Sequence, residues 1–281
     1  MATLFGLNEG VVRAGVFATV LVAMAALELW LPKRVALHAT GRRWLTNLSI
    51  AALGAGLVRV MALASAPIVA VAAALYAERH GLGLFNALAW PPWIAVAFTL
   101  LLLDLAIYLQ HVASHKLPVL WRLHRMHHAD PDFDVTTAVR FHPVEIGLSM
   151  LYKAALAVAL GAPPMAVVLF EIILNGCALF NHANVALPAW LDRHLRLILV
   201  TPDMHRVHHS IVKAEHDSNF GFNLALWDRL FGTYLSAPAK GHTDMTIGLT
   251  PYQSTAPTRL LWSLALPFRP ADRSQRRSED G

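Results

Sequence analysis

The sequence predicts an all-α, polytopic membrane protein of four or five spans plus a compact polar part, and three observations carry that reading. Of the 281 residues, 56% are hydrophobic and only 15% are charged. An average soluble domain has roughly 45–50% apolar and about 25% charged residues. The mean hydropathy of +0.47 points the same way. Apolar runs of spanning length recur along the chain and are punctuated by prolines and basic links.

The first run, Val11 to Leu31, is of spanning length and ends at Pro32. It lacks a basic leader and is followed by Pro32-Lys33-Arg34, so it reads as a retained span rather than a cleavable signal. The second run, Trp44 to about Tyr76, is too long for one perpendicular span; it is tilted, kinked near Pro67, or split in two. Arg59 within it calls for snorkelling or an inter-helix bond. Ala77 to Trp90 is a link, and Pro91-Pro92 starts the third run, which continues into His111 and His115. From Pro143 a further apolar region is broken by Gly161-Ala162-Pro163-Pro164 into Val144–Leu160 and Met165–Leu179, a helical hairpin that spans or re-enters. Beyond Ala183 the chain is polar or amphipathic, and residues 269–281 read as a disordered tail. No internal repeat marks a second domain, so residues 1–281 are read as a single integral-membrane domain.

The net charge is +5. The basic residues do not form a nucleic-acid stripe. They gather beside apolar runs: Lys33, Arg34, Arg42 and Arg43; Lys116, Arg122 and Arg125; Arg193, Arg196 and Arg206. Such links face the cytoplasm and its anionic leaflet. With five crossings, the N-terminus is then outside and the C-terminus inside. The one cysteine, Cys177, lies in an apolar run and reads as a small buried residue.

Three histidine clusters carry the chemistry: His111-x-x-x-His115, His124-x-x-His127-His128, and His205-x-x-His208-His209. Steps of three and four residues put side chains on one helix face. Eight imidazoles exceed the four ligands of a tetrahedral ion or the six of an octahedral one. The simplest accounting is two metals sharing eight or more imidazoles. Imidazole suits zinc, copper, iron and nickel, and no cysteine accompanies the clusters as in a structural zinc site. A redox pair that uses O2, a non-catalytic metal carrier and a zinc-assisted hydrolase all remain open at this point. The boxes sit at helix ends and in polar links, which counts against transport through the bilayer midplane.

The chain resembles the membrane fatty acid hydroxylase superfamily, also called the sterol desaturase family, in a bacterial-type form. The resemblance rests on the three boxes and their flanks. These are Trp121-Arg122-Leu123, Arg140-Phe141-His142-Pro143-x-Glu145, Thr201-Pro202-Asp203-Met204, Ser218-Asn219-Phe220-Gly221 and Trp227-Asp228-Arg229-Leu230-Phe231-Gly232-Thr233. It covers roughly residues 40 to 235. It implies membrane helices capped by a cytosolic helical domain that holds a histidine-rich dimetal centre. It further implies two iron ions, O2 as co-substrate, a membrane-lipid substrate, and hydroxylation or desaturation of that lipid. It carries over His111, His115, His124, His127, His128, His205, His208 and His209 as metal ligands, and adds His182 in Asn181-His182-Ala183-Asn184 as a ninth. Ala178 stands where some members have a tenth. No GxGxxG fingerprint or fused cytochrome-like or ferredoxin-like segment is found, so electrons are expected from a separate donor protein, and the basic face suits an acidic one.

Other polar residues divide between chemistry and packing. Asp104, seven residues before His111 on the same helix face, is a candidate to receive an imidazole N–H, and Tyr108 a candidate lining residue. Glu171 and Asn175 either support the site or pack. His142 is a candidate outer donor or further ligand. Asn219, Trp227 and Asp228 are read as structural. His38, His80, His194, His216 and His242 have no partner spacing and read as surface or interface residues.

Overall fold

Proline punctuation sets where most of the large helices begin. In the computed structural model, which describes residues 3–4 and 7–270, Pro92, Pro118, Pro143, Pro164 and Pro202 each occupy a helix's first position. There the missing N–H costs nothing and φ is already helical. Helices run α1 Glu9–Trp30, α2 Thr40–Ala64, α3 Ala70–His80, α4 Leu84–Ala87, α5 Pro92–Lys116, α6 Pro118–His128, α7 Pro143–Leu160 and α8 Pro164–Asn181. Six short ones follow: α9 Ala189–Leu195, α10 Pro202–His208, α11 Lys213–His216, α12 Leu226–Leu230, α13 Gly241–Asp244 and α14 Leu260–Ala265. The extended backbone includes a small antiparallel pairing of Thr3–Leu4 with Leu7–Asn8 and bridges such as Leu199 with Leu224.

Five helices, α1, α2, α5, α7 and α8, are long and apolar enough to cross a membrane. The second apolar run is split, one of the three geometries its length allows. Ser65 ends α2 in extended geometry, and the turn Ala66–Ile68 leads into α3. Helix α3 has 11 residues, about 16 Å at 1.5 Å per residue, too short to span. It lies against α7 and α8 instead. Its alanines Ala70, Ala73, Ala74 and Ala77 are fully packed, and small side chains let backbones approach closely. Around them Leu103, Ile107, Met150, Ala154, Val167 and Phe170 complete the membrane core. Gly83 and Gly161 both take left-handed backbone, and a Cβ on Gly83 would overlap the Gly161 backbone, so the turn after α3 seats directly on the α7–α8 hinge.

The buried carboxylate on α8 is paired. Glu171 on α8 accepts from Arg13 of α1 and Lys153 of α7, each at 2.7 Å, which is how an intramembrane carboxylate is tolerated. Asn175 donates to the Glu171 carbonyl, so both residues pack and neither touches a histidine. Arg59 is exposed, as snorkelling requires, and Cys177 is only partly buried.

Two expectations are corrected. Arg43, Arg125 and Arg206 do not face a lipid leaflet, because all three are buried. Arg43 pairs with Asp130 and Asp134, Arg206 with Asp203, and Arg125 donates to the Leu266 and Arg269 carbonyls. The partners of Arg43 and Arg125 come from distant segments, which the local charge pattern does not reveal, whereas Asp203 sits three residues before Arg206 on the same short helix. The expected tail also starts too early. Arg269 is held by that Arg125 bond and lies 5.2 Å over the Trp262 ring, and residues 271–281 lie outside those described.

Candidate metal centre

Helix α5 is 25 residues long, about 38 Å, and so outruns a hydrocarbon core of about 30 Å. His111 and His115 therefore stand at its membrane-edge end. Leu117 breaks the helix, Pro118 starts α6, and α6 turns back with His124, His127 and His128 on its inner side, all buried. His182 caps the C-terminus of α8, and the short α10 brings His205, His208 and His209. All nine residues expected as ligands meet. His111, His115, His124, His128 and His208 form one group, and His127, His182, His205 and His209 form another. Within each, ligand nitrogens lie within 4.8 Å of one another. The groups adjoin, with the His128 and His209 rings 4.6 Å apart.

Tautomers follow from what lies behind each ring. His111 Nδ1 is 2.7 Å from the Phe220 carbonyl and His124 Nδ1 is 2.7 Å from Glu145 Oε1. Carbonyls and carboxylates only accept, so both rings carry their proton on Nδ1. Their Nε2 atoms, 3.2 Å apart, then present two lone pairs to each other. His182 Nδ1 likewise donates to the Ala178 carbonyl, leaving its Nε2 lone pair 3.2 Å from His127 Nε2 and 3.1 Å from His205 Nε2. Nitrogens that share one ion at about 2.0–2.1 Å stand roughly 3 Å apart. Both ring nitrogens of His128 and His209, and Nε2 of His208, are buried with no hydrogen-bond partner. Such orphaned groups are costly unless something coordinates them. Burial, reinforced by the adjacent imidazoles, pushes His127, His128, His205 and His209 well below the usual imidazole range. Burial also pushes His182 down to about 3. The donor set is neutral and all-nitrogen, which fits divalent transition metals.

The loop after α11 is the backing plate. Phe220 and Ser218 supply the carbonyls behind His111 and His208. Asp228 receives the Phe220 and Gly221 N–H groups at 2.7 and 2.8 Å. Asn219, in left-handed backbone at φ 52, bonds Met204 and Leu235. A Cβ on Gly221 would stand 2.8 Å from the Asp228 carboxylate. Asn219 and Asp228 are structural as expected, and what they position is the loop behind two histidines.

Sequence spacing misassigned several neighbours. Asp104 does not receive an imidazole N–H; it accepts from Trp227 Nε1 at 2.8 Å and the Leu224 N–H at 3.3 Å. Tyr108 is buried, hydrogen-bonded to Thr233 and stacked on Phe231. His142 joins neither histidine group; it caps α7 by accepting from the Val144 N–H. His216 is not an isolated surface residue: it stacks on Trp121, and with Asp217 stands behind His115. Glu145 stands in the sequence only as part of a flanking motif, since a separation of 21 residues from His124 gives no periodic signal. Replacing Glu145 by glutamine removes the charge behind His124 while keeping its shape. Metal affinity is expected to fall about 10–100-fold, measured by chelator competition; unchanged affinity would refute a supporting role.

Residues 96–233, the segment that holds all nine histidines, match the model of the fatty acid hydroxylase family. It is 34% identical over 165 residues to ornithine lipid hydroxylase OlsE of Rhizobium tropici, covering 57% of this chain and 47% of the relative. It is 32% identical over 159 residues to alkylglycerol monooxygenase of Homo sapiens, covering 54% and 33%. It is 28% identical over 145 residues to cholesterol 25-hydroxylase of Rattus norvegicus, covering 51% and 47%. These matches span half or less of the relatives' lengths. No solved structure gives a significant match. With five apolar helices of spanning length, the chain is an integral membrane protein.

Proposed function

We propose that residues 1–281 act as a single integral-membrane di-iron oxygenase that hydroxylates a C–H bond of a membrane lipid. The observation that carries this reading is the pair of inward-facing imidazole groups at the membrane-edge end of α5, with ring lone pairs opposed at 3.1–3.2 Å. His111, His115, His124, His128 and His208 would hold one iron, and His127, His182, His205 and His209 the other. Bound there, two irons would supply oxidising power drawn from O2 and two electrons. The overall balance is R–H + O2 + 2e⁻ + 2H⁺ → R–OH + H2O.

The chain's own residues would supply position, dryness and access. Phe141 stacks on His127 with ring centroids 4.3 Å apart, and Phe222 lies 5.1 Å from the His111 ring. Phe222 also packs against the membrane core. A lipid chain approaching past these two rings would reach the centre without passing through bulk water. The names of the relatives join lipids to hydroxylation or monooxygenation, which favours hydroxylation over desaturation. The electrons would come from a separate donor protein of the cytochrome or ferredoxin type.

Incubation with 18O2, reductant and lipid extract is expected to yield a lipid carrying one labelled oxygen, read by mass spectrometry. New double bonds without label would make the chain a desaturase. No O2-dependent change with two irons bound would leave metal binding without catalysis.

The centre would face the cytoplasm across the inner membrane, by the bias of exposed Lys and Arg beside the spans. Arg122 and His194 are both exposed. Single cysteines at these positions, in a Cys177→Ser background, should both react with an impermeant maleimide only after the cells are opened. Reaction in intact cells would reverse the orientation.

A further inference from the structure

An open groove of ≈ 690 Å³ lies between the first turns of α2 and the segment around α14, away from the histidines. Arg42, Arg259 and Arg269 line it together with Leu45, Leu261 and Trp262, and no carboxylate does. All three arginines are exposed, and none is in an ion pair among the described residues. The walls are fixed. Thr46 donates to the Thr258 carbonyl at 2.7 Å, Arg140 holds Pro257 and Ser263, and Arg122 and Arg125 hold Pro267, Leu266 and Arg269. The apolar rim is left in the open: Leu45 is 70% exposed and Leu261 80%.

We propose that this groove binds the phosphodiester headgroup of an anionic glycerophospholipid. Three observations combine. The unopposed guanidiniums supply forked donors suited to phosphate oxygens. Leu45 belongs to a spanning helix, and Leu261 and Trp262 to α14, so the groove has an apolar side facing where acyl chains lie. The groove lies at the end of α2 bonded to the loop after the second histidine box, and hence at the membrane–water boundary, where basic residues meet acidic lipids. A soluble anion would use the arginines but leave the leucine rim exposed. An acidic protein would meet the same charges but has no use for a rim that continues onto a spanning helix.

The test is native mass spectrometry of the detergent-purified, metal-loaded protein titrated with dioleoyl phosphatidylglycerol or dioleoyl phosphatidylcholine. Phosphatidylglycerol is expected to be retained and phosphatidylcholine not. The Arg42→Gln/Arg259→Gln/Arg269→Gln variant is expected to bind phosphatidylglycerol about a hundredfold more weakly, about fivefold for each guanidinium removed. Arg→Lys at the same positions should lose less than Arg→Gln, because it keeps the charge and loses only the fork. Arg259→Gln alone, expected to lose about fivefold, carries the test if the triple variant loses its metals. Equal retention of both lipids, undiminished binding by the Gln variants, or displacement of phosphatidylglycerol by millimolar inorganic phosphate would each overturn the proposal. So would unchanged lipid retention together with loss of coupling to an acidic electron donor, which would assign the groove to that donor.

Discussion

Replacing His128 by alanine is expected to drop bound metal from two ions per chain to one and to abolish lipid oxidation. His128 is buried in the five-histidine group, and neither of its ring nitrogens has a hydrogen-bond partner. A ring in that position contributes nothing to packing that an apolar side chain would not supply better. Loss of a ligand should exceed the roughly 10–100-fold that loss of an outer partner costs. His194→Ala is the control: His194 is exposed, its ring donates to the Trp190 carbonyl, and it lies outside both groups. Metal content by elemental analysis and turnover on lipid extract should fall for His128 and stay near the parent level for His194. Two metals and full turnover in His128→Ala would remove the ligand assignment. Parallel loss in both variants would point to general destabilisation.

The histidines were legible in the sequence because their geometry is local. His124, His127 and His128 share a helix face by spacing alone, and the apolar run that ends in His111 and His115 fixes their height at the membrane edge. Span positions were legible for the same reason, since length and hydropathy are one-dimensional properties, and the prolines at 92, 143 and 164 mark the starts. Partners made by distant segments were not legible. Asp104 shares a face with His111, but seven residues along a helix is about 10 Å, and Trp227 and the Leu224 N–H reach it first. Glu145 meets His124 only because α7 folds back over α6. Phe220 and Ser218 act through backbone carbonyls, which side-chain chemistry cannot announce. Arg43 and Arg125 read as leaflet-facing charges because a sequence shows the sign of a residue and not the distant carboxylate or carbonyl it will find.

That last failure identifies where the fold is most vulnerable. Arg43 forks onto Asp130, with Nε to Oδ1 at 2.7 Å and Nη2 to Oδ2 at 2.9 Å, and sends Nη1 to Asp134 at 2.6 Å. Asn47 and Thr137 complete the shell on Asp130, and Arg140 holds Asn47. Burial alone would push the Asp130 carboxyl up, yet the Arg43 guanidinium overrides it and holds that carboxyl at about 2. Asp130 lies two residues beyond His128, so this network bolts α2 to the end of the second histidine box. Arg43→Met keeps the stem and deletes the charge, stranding two buried carboxylates. Breaking one side of a buried pair costs about 3–5 kcal/mol, so a large fall in unfolding midpoint is expected in detergent, with metal lost before the spans unfold. The double change Arg43→Met/Asp130→Leu removes the stranded charge at Asp130 as well, and it should recover part of that loss, because the two sites are in contact and their effects do not add. Midpoints from denaturant titration of the four proteins in the cycle measure the coupling. Additive effects would mean the pair is not coupled, and an Arg43→Met protein as stable as its parent would mean the network bears no weight.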